Sequence, residues 1–293
     1  MLILVVTLLL SSLNLFFSSA TLYFYQLNRK NSPVFGMLTV HLLTCVQFSF
    51  IFIVLTIVSM LAACQAIEMQ IVTNFVFSSF EDASQNSLYV SGALLAVDRV
   101  LVMACPFKYT FWNISTKLAV FDLLLYLLKM TGITVVHLIL QISPFQVGPT
   151  MTDVYNGVFV FEILLHFVFL LQSRLYAKKP KASLHFKQQM LQMNQITLFQ
   201  MCSLLVFGIF PKVIYYVDVY ITNSDISTFT QCNWNATLRQ LDQLSFAVSI
   251  SLTTIFTLHK LRQRVTFVLV KNSRTRSIIT ISGRINKRSI LIN

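Results

Sequence analysis

Apolar runs long enough to cross a bilayer alternate along this chain with short polar segments. A hydrocarbon core of about 30 Å takes about 20 apolar residues of helix. Seven stretches meet that need: 1–25, 34–62, 72–98, 118–140, 154–174, 195–219 and 239–259. The second is the clearest, because residues 34–62 contain no Asp, Glu, Lys or Arg. The third has two readings. A span over 88–107 would put Asp98 and Arg99 at its centre, at a cost of about 2.5–3.5 kcal/mol each on insertion scales. A span over 72–98 leaves them at the edge, with Glu81 roughly 27 Å further along the helix, near the opposite boundary. The second placement is preferred. The pattern predicts an all-α membrane protein, a seven-transmembrane bundle over 1–259. A juxtamembrane amphipathic helix and basic tail follow over 260–293.

Charge sets the expected orientation. Of the 22 basic residues, 19 fall in the segments 26–33, 99–117 and 174–194 and in the tail from Lys260. With seven crossings these four segments share one side. The positive-inside rule places that side in the cytoplasm, with the amino terminus outside. Nothing basic precedes Leu2, and Arg29 and Lys30 follow the first run. That order suits a first spanning helix better than a cleaved signal peptide. Little chain is left outside the membrane for a large protein ligand to grip.

Composition narrows the class. The chain has 293 residues, 56% apolar and 11% charged, with 26 phenylalanines and a net charge of +12. Soluble domains are about 45–50% apolar and about 25% charged. A water-soluble globule, a disordered chain and a disulfide scaffold are excluded. The excess of bases does not imply nucleic acid, since they flank apolar helices, where they fix topology and attract anionic lipid.

One motif carries a mechanism. The third helix ends Asp98-Arg99-Val100-Leu101-Val102-Met103-Ala104-Cys105-Pro106. This resembles the inner end of helix three in rhodopsin-like G-protein-coupled receptors. The wider pattern, with its minimal amino terminus, aromatic-rich helices and basic tail, is most similar to nematode serpentine chemoreceptors, such as class BC. The topological likeness covers the whole chain, the sharp motif about nine residues. It implies that Asp98, Arg99 and Pro106 form a latch at the cytoplasmic mouth, which opens for the carboxyl-terminal helix of a heterotrimeric G protein. It also implies a small-molecule ligand in the outer half of the bundle, and a plasma-membrane location such as sensory cilia. Several features depart from the family. Val100 stands where an aromatic is usual, and Ile209 where a tryptophan is usual. The seventh helix reads Ser251-Leu252-Thr253-Thr254-Ile255-Phe256, without the expected Asn-Pro pair and tyrosine. Pro211 remains as a kink-forming pivot in helix six.

Ionisable residues inside a membrane are candidate functional groups. Glu81 and Asp82 lie in the outer half of helix three, and by resemblance Glu81 holds the carboxylate position of amine receptors. Lys212, Tyr215, Tyr216 and Asp242 are expected at similar depth, as ligand contacts or as a Glu81–Lys212 brace. Lys129 and Glu162 fall at comparable depths in helices four and five, which suggests a structural ion pair. Cys64 and Cys232 are the two cysteines on the oxidising side, bridged or free. Asn235 opens a glycosylation sequon in an outer loop.

No metal site, cofactor or catalytic group is expected. The five histidines are scattered, and metal sites need His and carboxylates brought together. A transporter would show repeated halves and broken helices. A ligand-gated odorant channel would put the amino terminus inside, against the charge count. Pairing with a second receptor copy or a relative is left open.

Overall fold

The computed structural model describes residues 2–28, 36–63, 71–135, 148–177, 184–214, 217 and 244–262. Nearly all of these residues are helical, and there is no strand among them. The helices are α1 (Leu2–Asn28), α2 (Gly36–Ala63), α3 (Ile71–Ala104), the short α4 (Pro106–Phe111), α5 (Ile114–Thr134), α6 (Gly148–Ala177), α7 (Leu184–Leu204) and α8 (Leu244–Arg262). A π-turn, Leu205–Ile209, extends α7, and the helix continues to residue 214.

Six of these helices are long and apolar enough to cross a membrane. The chain is therefore a multi-pass membrane protein. The helix without a qualifying span is α5. Its 21 residues hold Lys117, Asp122 and Lys129, so every stretch of membrane length within it carries three charges. Nevertheless its outer face is strongly apolar, with Val120, Phe121, Leu124, Leu127 and Leu128 all exposed.

The third helix is longer than a bilayer core needs. α3 has 34 residues, about 51 Å of rise, and its apolar portion is Ala83–Ala104. Asn74, Ser78, Ser79, Glu81 and Asp82 make the first turns polar. Asp98 and Arg99 lie within that stretch, and both are buried. Their neighbours compensate their charges, as described below.

α3 is the central helix. It packs on α2, α5 and α6, while α1 packs on α2 and α6 on α7. The main core joins Cys45, Phe48 and Phe52 of α2 with Leu88 and Tyr89 of α3. Phe159 of α6, Leu204 of α7, and Phe246 and Ile250 of α8 complete it. Tyr89 sits at its hub, with ring centroids 4.7 Å from Phe246 and 5.3 Å from Phe159, both edge-to-face. Such pairs add about 0.5–1.5 kcal/mol beyond area burial.

α1 inverts the soluble-protein pattern. Ser11, Asn14, Ser18 and Thr21 are buried at alternating spacings of three and four, with Tyr25 continuing the stripe. Leu9, Leu13, Phe16 and Tyr23 face outward. Lipid solvates the large apolar side chains, and small polar residues allow helices to approach closely. Thr21 donates from its hydroxyl to the Phe17 carbonyl at 2.7 Å and lies 3.3 Å from the Thr254 carbonyl of α8. α8 satisfies its own hydroxyls in the same way, Ser251 and Thr254 donating one turn back to Ala247 and Ile250.

Pro211 lies just past the π-turn. A proline lacks an N–H and crowds the carbonyl four residues earlier. The wider turn, in which the Phe210 N–H donates to the Leu205 carbonyl, relieves that crowding within a continuous helix. Gly208, inside the turn, abuts the Phe159 ring, and a side chain there would collide with it. Gly208→Ala should lower the thermal unfolding midpoint in detergent, at an overpacking cost of about 1–3 kcal/mol. Adding Phe159→Leu should recover part of the loss. An unchanged midpoint in the single variant would refute the contact.

Candidate functional site

The polar interior begins at the end of α3. Asp98 and Arg99 are adjacent, so their side chains leave the helix about 100° apart. Asp98 turns toward α4 and α5. The Tyr109 hydroxyl donates to its Oδ1 at 2.5 Å, and the Ser115 hydroxyl donates to its Oδ2 at 3.4 Å. Ser115 also accepts the Met37 N–H at 3.0 Å, tying the start of α2 to the start of α5. Gly36 permits this approach, since a Cβ there would stand 3.2 Å from three Ser115 atoms.

The break between α3 and α4 positions Tyr109. Pro106 opens α4, the position where its missing N–H costs nothing. Asn113 then adopts a left-handed conformation, φ 48°, which an asparagine tolerates, and turns the chain into α5. Tyr109 is buried while its neighbours Phe111 and Trp112 are exposed. Burial pushes the Tyr109 phenol far up, and the Asp98 carboxylate adds to the shift. The phenol therefore remains a donor at any physiological pH.

Arg99 turns the other way, into the bundle. Its Nη1 donates to Thr197 Oγ1 at 3.1 Å and to Gln200 Oε1 at 3.0 Å, both on α7. Gln200 passes the contact on, its Nε2 donating to Glu162 Oε1 of α6 at 3.3 Å. His166, one turn further along α6, places Nε2 3.4 Å from the same oxygen. Arg99 feels both Asp98 and Glu162 electrostatically. A charged guanidinium inside a bundle is tolerated only when its donors are met and opposite charge is near. Here two neutral acceptors touch it, and two carboxylates stand beyond them.

A smaller polar group lies on the α2–α3–α5 side. His41 Nδ1 is 3.2 Å from the Ser91 hydroxyl, which also interacts with Asp122 of α5. Gln47 donates to the Tyr126 hydroxyl.

The expected site residues divide as follows. Asp98 and Arg99 stand at the centre of the network, and the hydrogen bonds of each run to other helices. Glu81 and Asp82 fall on α3, and Pro106 starts α4, with side chains outside the described residues. Lys212 follows the π-turn, half-buried, its Nζ 5.7 Å from the Tyr89 ring centroid. Tyr89 in turn accepts a hydrogen bond from Gln85 Nε2 at 2.8 Å. Tyr215, Tyr216, Asp242, Cys64, Cys232, Asn235 and the tail beyond Arg262 lie outside the described residues. Lys129 and Glu162 take different neighbours. Lys129 Nζ lies 4.2 Å from the Tyr155 ring centroid, a cation–π contact, while Glu162 faces Gln200 and His166. Similar depth did not imply similar azimuth.

Thr197, Gln200, Tyr109, Ser115 and His41 were missed by sequence reasoning. Neutral polar residues in apolar helices carry no charge signal. No group of three or more His, Cys, Asp or Glu suited to a metal ion occurs among the described residues.

No protein-family model matches the chain, and no curated protein matches it significantly.

Removing the Tyr109 hydroxyl should leave a buried carboxylate with one long contact. Tyr109→Phe should destabilise the purified protein by about 1.5–3 kcal/mol, the range for hydrogen bonds to charged groups. Asp98→Asn should largely cancel the effect of the second change in a double-mutant cycle. Additive losses in that cycle would refute the contact.

Proposed function

We propose that this protein is a rhodopsin-like G-protein-coupled receptor of the chemosensory type, with seven spans, its amino terminus outside and its tail in the cytoplasm. On this reading α5 is the fourth span, despite its three charges. Asp122 and Lys129 are accommodated against Ser91 and Tyr155. A small molecule binds in the outer half of the bundle. The level of Lys212, Tyr89 and Gln85 belongs to that half, with Glu81 and Asp82 beyond it. The heterotrimeric G protein meets the chain at the α3–α4 end. Plasma-membrane residence follows from the same reading.

The observation that carries the proposal is the division of labour at Asp98 and Arg99. One residue is fixed to the α4–α5 corner, and the other crosses to α7 and bonds Thr197 and Gln200. An arginine held this way closes one end of the bundle. Moving α7 outward breaks both bonds and frees the guanidinium to line a cavity. A ligand favours that state only by binding it more tightly than the closed one.

The latch predicts activity without ligand. Gln200→Leu removes one acceptor of Arg99. It should raise basal nucleotide exchange on a panel of purified heterotrimers by about tenfold, the factor equivalent to one such hydrogen bond. Arg99→Ala in the Gln200→Leu background should return exchange to the level of empty membranes. Exchange that stays flat in Gln200→Leu across the panel would count against the latch. Orientation is tested separately with a carboxyl-terminal tag. Its detection on intact cells would overturn the receptor reading and move the ligand-gated channel to first place.

A further inference from the structure

We infer that Glu162 and His166 form an intramembrane proton-binding site, and that its occupancy weakens the hold of α6 and α7 on Arg99. The ligand is one proton taken up from water, and no other bond changes.

The site is built for a carboxylate in a tight space. Glu162 stands mid-helix in α6 and presses on α3 at Gly92. A Cβ at that glycine would lie 2.6 Å from both carboxylate oxygens, so a side chain there would force the carboxylate to shift. Both Glu162 and His166 are buried, the histidine with no exposed surface at all. His166 Nε2 comes within 3.4 Å of Glu162 Oε1, yet neither ring nitrogen has a hydrogen-bond partner. An unpartnered buried imidazole is costly, because each unmet buried polar group costs about 1–3 kcal/mol. The pair thus holds a place for a proton between oxygen and nitrogen.

The charges around it define what that proton does. From α3 the facing charged group is Arg99. From α2 come His41, which lies in the field of Arg99 and His166, and Cys45, which lies in the field of Glu162. From α7, among the described residues, come the neutral Thr197 and Gln200. Asp98 is turned to Tyr109, and Asp122 to Ser91. With the imidazoles and the thiol neutral and Glu162 ionised, the cluster holds one positive and one negative charge. A proton on Glu162 removes the negative charge opposite Arg99. A proton on His166 adds a positive one beside it. Both placements push the guanidinium outward, toward the freed state. By linkage, release of Arg99 makes the pair bind its proton more tightly.

This inference uses the proposed function only in taking the described arrangement as the closed state, and its tests need no G protein. The purified chain in lipid nanodiscs is titrated between about pH 8 and pH 5, the range in which histidine-containing sites change charge. Infrared difference spectra report carboxyl and imidazole protonation. Spin labels at Lys108→Cys and Leu191→Cys, with Cys64, Cys105, Cys202 and Cys232 replaced by serine, report the α4–α7 distance. We expect a titrating band that disappears in Glu162→Gln, and a longer-distance population that grows at least about fivefold on acidification, the lower end of allosteric coupling. That growth should be lost in His166→Phe, or in His166→Gln should the phenylalanine variant not fold. A wild-type spectrum without a band assignable to Glu162 or His166 would overturn the site. A label distance that ignores pH would overturn its coupling to Arg99. An unchanged titration in both Glu162→Gln and the histidine variant would assign the proton elsewhere and overturn the proposal. Absence of nucleotide exchange with every heterotrimer, alongside a positive titration, would defeat the receptor reading and leave the proton site standing.

Discussion

One cation inside the bundle governs the arrangement around it. A guanidinium within an apolar span is tolerated only if its donors and its charge are met by protein, since lipid offers neither. Arg99 meets the first need through Thr197 and Gln200 and the second through Asp98 and Glu162. These groups come from α3, α6 and α7, so meeting the needs of one residue fixes three helices. The same demand accounts for Gly92, which makes room for Glu162, and for Tyr109, which occupies Asp98 so that it need not compete for Arg99.

The packing obeys a solvent that is itself apolar. Helices gain little by hiding leucine from lipid, and they associate through close contact and hydrogen bonds. The buried stripe of Ser11, Asn14, Ser18 and Thr21 and the hydroxyls of α8 follow from this, as does the Ser203–Ser249 contact at 3.1 Å. Aromatic rings fill the middle, where Tyr89 touches Phe159 and Phe246. Its hydroxyl faces Gln85 and its ring faces Lys212, so one side chain joins the packed core to the polar half beyond it.

Much of this was legible in the sequence. Six of the seven apolar stretches contain helices suited to crossing a membrane, because length and apolarity are properties of single segments. For the third, the expected span over 72–98 and the apolar stretch Ala83–Ala104 fall on one 34-residue helix. Avoiding mid-span charge is sound for an isolated helix, but it ignores what Tyr109, Ser115, Thr197 and Gln200 supply. Lys129 lies over Tyr155 and Glu162 meets Gln200 and His166 for a related reason: depth can be counted from the chain, whereas azimuth depends on which face each helix turns inward. The stripe on α1 was readable in principle, as small polar residues at spacings of three and four. A count of apolar residues passes over it. The partners of Arg99 had no such signature, since one threonine and one glutamine on α7 look like many others.

The π-turn at Leu205–Ile209 has a consequence for how α7 is encoded. One extra residue in a turn rotates everything after it by about 100° relative to an uninterrupted helix. The face that meets Arg99 and the face that carries Lys212 therefore belong to two separate registers. A helical wheel drawn through the whole segment would misalign them, and deleting one residue of the turn would restore a plain α-helix with Lys212 still facing Tyr89 and Thr197 and Gln200 still in place. The two halves of one helix can thus change sequence independently, the half with Thr197 and Gln200 under the demands of the arginine and the half with Lys212 under those of packing beside Tyr89.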